Sequence, residues 1–131
     1  FYDLCRDVGA QDLLVLTGDS HSFWANELAN GAGQPMGLEI GTAGVSSPGD
    51  FVETGWGDAI SEKLDRTFES ELEEVRWTDN FHQGYVRVIL ERQSAKVDFV
   101  AVNTVLAIDS RTKTIRSETI TRKGDQIQFL N

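Results

Sequence analysis

Leu13-Leu14-Val15-Leu16-Thr17 is an apolar run without alternation, and it breaks at Gly18 into Asp19-Ser20-His21. A short run with no polar face reads as a strand buried on both sides, the kind that parallel sheets contain. Gly18 reads as the turn by which the backbone leaves the sheet. Asp19 and His21 then project from the strand's carboxyl end, where open α/β sheets hold ligands and metals. A localised carboxylate charge beside a neutral imidazole nitrogen suits a borderline-hard divalent or trivalent ion. The plainer reading of the same residues makes Asp19 a helix cap and His21 an ordinary loop residue.

The rest of the chain divides by its periodicity. Residues 1–9 read as the end of a helix, with Phe1 or Tyr2, Leu4 or Cys5, and Val8 on one face and Gly9 as its stop. Residues 22–29, Ser-Phe-Trp-Ala-Asn-Glu-Leu-Ala, predict a short helix or turn whose amino terminus points at the Asp19–His21 position, where backbone N–H groups favour an anion. Phe23 and Trp24 are expected to pack rather than to react. Residues 36–42 predict a strand beside the first, and the Gly/Ser-rich 41–57 stretch predicts a loop.

From 58 to about 75, Ile60, Leu64, Phe68, Leu72 and Val75 recur at steps of four, four, four and three, which predicts one long amphipathic helix. Glu69, Glu71, Glu73 and Glu74 read as its solvated face. From Gly84 the period becomes two. Val86, Val88 and Leu90, then Val97, Phe99 and Ala101, predict an antiparallel hairpin joined near 91–95. Residues 104–108 are expected to continue or re-enter the sheet, 114–121 to form another strand, and Ile127 and Phe129 to close a structural ribbon. The fold class that follows is α+β, one domain over residues 1–131, with a mostly antiparallel or mixed sheet.

The formal net charge of −9 excludes a nucleic-acid partner, since a phosphate backbone is repelled by such a chain. A small phosphate ester is a different case, because bound cations reverse the local field. Cys5 is the single cysteine, so no internal disulfide forms, and its apolar neighbours predict a buried thiol. No apolar run approaches the roughly 20 residues of a membrane span.

The runs 14–25 through Glu27-Leu28, then Leu38-Glu39-Ile40-Gly41-Thr42-Ala43-Gly44-Val45-Ser46-Ser47-Pro48-Gly49, resemble the carboxyl-terminal part of alkaline phosphatase D (PhoD-like) metallophosphatases. Trp77-Thr78-Asp79, His82 and Gly84-Tyr85-Val86 are similar to the point where those enzymes return to a sheet strand. The resemblance covers most of residues 1 to about 107. It implies a fragment of a calcineurin-like metallophosphoesterase sandwich, and it places Asp19 and His21 as metal ligands. It implies iron with calcium as cofactors, a choice that spacing alone does not make.

The family draws its other ligands from an amino-terminal half that is not in this sequence. The expectation is therefore a piece of a metal-dependent phosphoesterase acting on phosphate mono- or diesters, inactive alone. An extracellular or periplasmic setting is implied by the same resemblance.

His82, just before the Gly84 strand, is the candidate catalytic side chain, approaching the metal cage or a substrate phosphate. Glu39 and Asn26 are candidates to orient His21 by hydrogen bonds. An uncovered sheet face predicts a homo-oligomer of the piece. The competing class is a non-catalytic structural or interaction module that keeps Asp19 and His21 without metal.

Overall fold

The computed structural model describes residues 1–49, 55 and 57–130. Helix α1 (Tyr2–Asp7) leads into strand β1 (Leu13–Thr17), β2 (Phe23–Ala29) and β3 (Pro35–Gly41). Helix α2 (Asp58–Glu71) follows, then β4 (Val75–Asp79), β5 (Gly84–Leu90), β6 (Ser94–Val102), β7 (Thr112–Lys123) and β8 (Gln126–Phe129). The class is mixed α+β and mostly sheet.

The first sheet has the order β1-β3-β2-β4, with β1 parallel to β3 and the other pairs antiparallel. The second is an antiparallel meander, β5-β6-β7-β8. The expected hairpin is β5–β6, with Leu90 opposite Ala95. The expected neighbour of β1 is β3, with Leu14 opposite Leu38.

One core lies between the sheets. Phe23, Ala25, Leu38 and Ile40 from the first meet Val97, Phe99, Ile120 and Phe129 from the second, all buried. Phe99 stands edge-on to Phe23 at 5.7 Å and to Trp77 at 4.7 Å between ring centroids. Burying each such ring contributes about 2–3 kcal/mol. A buried Glu118 joins the layers with Arg116, which lies over the Trp77 ring, and with Arg76, which lies over the Phe129 ring.

Four expectations change. Residues 22–29 are not helix or turn but strand β2, threaded between β3 and β4 with Phe23 and Ala25 fully buried. Pairing on both edges overrides a local composition that suits a helix. No helix terminus therefore faces the Asp19–His21 loop from that segment. Strand β1 is not buried on both faces, because it pairs with β3 alone and leaves Leu16 59% exposed.

The helix expected to reach Val75 stops at Glu71, Leu72 is its extended C-cap, and Val75 belongs to β4. Its buried side runs through Ser61, Leu64, Asp65 and Phe68, while Ile60 is half exposed. Phe68 packs on Trp24 with ring centroids 5.5 Å apart. Residues 104–108 neither continue nor re-enter the sheet. They belong to the loop joining β6 to β7, with Leu106 and Ile108 in solvent.

In α1 the buried residue is Cys5, as expected of that thiol, whereas Phe1, Leu4 and Val8 are exposed. Part of the 41–57 loop, residues 50–54 and 56, lies outside the described residues.

Candidate metal loop and its supports

Asp19 and His21 lie in the loop between β1 and β2, and both have left-handed backbone, φ 75° and 52°. They are the only non-glycine residues with positive φ among those described. Gly18, which the sequence suggests for the turn, does not take this conformation. Residues held in the left-handed region store strain of order 1 kcal/mol, which persists where surrounding structure imposes it.

That surrounding structure is specific. Trp24 Nε1 donates to Ser20 Oγ at 3.1 Å, and Gln83 Nε2 donates to the His21 carbonyl at 3.2 Å. Ser22 Oγ donates to Asn80 Oδ1 at 2.7 Å. A β-carbon on Gly49 would stand 3.1 Å from the His21 carbonyl oxygen and 2.7 Å from Gln83 Nε2, so the 42–49 loop packs backbone against this turn. Gly84 N–H donates to the Gly44 carbonyl at 2.9 Å, closing the same corner.

Asn80 is the hub of these supports. Almost fully buried, it donates from Nδ2 to Asp65 Oδ1 at 2.5 Å and from its backbone N–H to the same oxygen at 3.2 Å. The β1–β2 turn is thereby tied to α2. Burial pushes the Asp65 carboxyl up; the Asn80 hydrogen bonds work against this, and neighbouring Asp79 and Glu69 add to it, leaving a pKa of about 6.

His82 sits in a turn built by Asp79. Asp79 Oδ1 accepts the N–H groups of Phe81 at 3.0 Å and His82 at 2.7 Å, and Oδ2 lies 2.8 Å from His82 Nδ1. Burial raises the Asp79 carboxyl, but the hydrogen bonds from the His82 ring and from these two N–H groups hold it below the usual carboxylate range. A ring nitrogen engaged by a carboxylate has its orientation set, which is what a histidine needs in order to act at its other nitrogen.

The described side-chain hydrogen bonds of Glu39 and Asn26 go to Thr17 and to each other. Glu39 accepts from Thr17 Oγ1 at 2.8 Å and from Asn26 Nδ2 at 3.0 Å, so the pair steadies the end of β1. The supports from Asn80, Gln83 and Asp65 have no counterpart in a reading by spacing. The one available signal is Asp79-x-x-His82, a carboxylate three residues before a histidine in a turn.

Asp19 and His21 are chemically apt donors for a metal, one hard oxygen and one imidazole nitrogen on a single turn. Among the described residues no group of three or more His, Cys, Asp or Glu side chains converges as a metal cage. A cleft of about 520 Å³ opens at the other end of β3, between Glu27, Arg76 and Phe129, away from this turn.

Comparison with known proteins bears on the fold and the family. No curated protein matches the chain by sequence. A solved structure described as the structure of PhoD superposes with a TM-score of 0.70 at 16% identity, over 99% of this chain and 24% of that one. The chain thus spans about a quarter of the length of that PhoD chain and has the fold of that part. A family described as PhoD-like phosphatase matches residues 1–99, which include the β1–β2 turn and the His82 turn. This chain belongs to the PhoD-like phosphatase family.

Proposed function

We propose that this chain supplies part of the site of a metal-dependent phosphoesterase with a calcineurin-like sandwich, in which Asp19 and His21 are metal ligands. One observation carries the assignment of ligands: the two donors nominated by residue type are, among the described residues, the two non-glycine residues held in left-handed backbone. Strain that packing and hydrogen bonds impose on adjacent donors is characteristic of sites whose geometry matters more than local stability. The remaining donors come from outside the described residues. Family resemblance favours iron and calcium as the ions and an extracellular or periplasmic setting.

When bound, such ions neutralise phosphoryl charge and lower the pKa of coordinated water. The chain's own contribution is positional. Gln83 and Ser20 fix the turn, Asn80 anchors it to α2, and Asp79 aims the His82 ring, which we assign to the catalytic role beside the substrate phosphate. The substrate class is a phosphate mono- or diester.

The test is metal analysis and turnover of the full-length native protein beside the Asp19→Ala/His21→Ala double variant. The expected result is loss of at least one metal equivalent and a fall in turnover of about a hundredfold or more. Unchanged metal content and turnover would instead identify a non-catalytic module.

A further inference from the structure

We propose that the hollow beside His82, about 180 Å³, is a second phosphate-binding subsite, which receives an additional phosphate group of the ester substrate; as a substrate site it rests on the function proposed above. Its wall is Phe81, His82, Val102, Asn103, Arg111, Thr112 and Lys113. The chain carries 21 Asp and Glu against 12 Lys and Arg, yet among the described residues this wall is lined by His82, Arg111 and Lys113 and by no Asp or Glu. Two of these side chains are matched by carboxylates outside the wall, so Lys113 is the group whose charge draws an anion to the hollow.

Two carboxylates that do not line the hollow hold side chains that do. Asp109 accepts from Asn103 Nδ2 at 2.7 Å and from Arg111 Nε and Nη2 at 2.9 and 2.5 Å. Asp79 holds His82 Nδ1. No ion pair engages Lys113 among the described residues.

The backbone makes the wall continuous. Val102 N–H donates to the Gln83 carbonyl, Asn103 N–H to the Arg111 carbonyl, both at 2.8 Å, and Lys113 pairs across the ladder with Ala101. The ammonium of Lys113, with the amide of Asn103 and the hydroxyl of Thr112 on the same wall, offers donors from separate directions that suit the several oxygens of a phosphate. Asp19 and His21 do not line the hollow, so it is not the position of the reacting phosphorus. It is adjacent in sequence to the residue that grips the metal turn, since Gln83 follows His82 and donates to His21.

The experiment is an NMR titration of the native protein with inorganic diphosphate, read at the amides of Asn103, Thr112 and Lys113. It is repeated with Lys113→Ala, with Lys113→Glu, and in the Asp19→Ala/His21→Ala background. The expected result is saturable shifts that persist in that background, weaken about fivefold with Lys113→Ala, vanish with Lys113→Glu, and weaken with added salt. In parallel, Lys113→Ala should raise KM for a substrate bearing two phosphates and leave KM for a monoester of an uncharged alcohol unchanged.

Shifts that are absent, or indifferent to Lys113, overturn the subsite, as does an equal rise in KM for both substrates. Lys113-dependent diphosphate binding by a protein that turns over no ester would sustain the anion site and remove the phosphoesterase reading instead.

Discussion

Asp19 and His21 carry a cost that glycine would not. If they are the ligands proposed above, their side chains matter more than the ease of the turn. Asp19 is exposed, so removing its side chain forfeits almost no packing. Asp19→Gly is expected to leave stability unchanged or raise it by about 1 kcal/mol, while metal content falls. Thermal unfolding beside metal analysis checks this, and a marked loss of stability would make Asp19 structural.

Asp65 provides a second test, through pH. Its folded pKa of about 6 lies above the ordinary 3.8, so the folded state holds the proton more tightly and favours low pH. That contribution is complete below about pH 4 and is lost as pH rises through 6. Asp65→Asn should flatten this part of the stability curve by about 1 kcal/mol, since half of the carboxyl stays in water and screens the effect. An unaltered slope between pH 4 and 6.5 in the variant would contradict the assignment.

Elements with a strong period were the ones legible from residues alone. The β5–β6 hairpin is readable because Val86, Val88, Val97 and Phe99 alternate and one face meets the core, and β3 because it follows a turn and lies beside β1. Strand β2 was not legible, since Ala25, Glu27, Leu28 and Ala29 favour a helix locally and only pairing with β3 and β4 makes them extended. For α2, the apolar stripe located the helix but not its buried side.

Carboxylates of that helix satisfy an open strand edge. Glu69 accepts the Thr78 N–H at 3.3 Å and Asp65 the Asn80 N–H, a use of charge that a solvated-face reading does not anticipate. Of the site, the two metal-ligand candidates are legible by residue type and order, whereas the Asn80 and Gln83 supports depend on contacts about 60 residues apart. At element scale the sharpest prediction concerns the start of β5. A β-carbon on Gly84 would meet the Val100 carbonyl oxygen at 1.9 Å. Gly84→Ala should therefore cost more than about 2 kcal/mol by forcing β5 and β6 apart, measured by denaturant unfolding; a loss below 0.5 kcal/mol would show that the ladder yields easily.

Across the whole molecule, apolar surface is distributed unevenly. The core between the sheets is buried, yet Phe1 is 86%, Leu4 67% and Val8 72% exposed along one short helix, and among the described residues β1 has no strand on its outer edge. Unpaired backbone groups along an uncharged strand invite another strand, and apolar stripes of this kind are seldom left in water.

When the 131 residues are studied by themselves, we expect self-association through these surfaces. Sedimentation at micromolar concentrations should give a mass that rises with concentration. Leu4→Glu/Val8→Glu should return it toward the monomer without lowering the unfolding midpoint, because neither side chain contributes to the core. A monomeric mass for the unmodified chain throughout that range would mean that the exposed stripe and the open edge are tolerated in water.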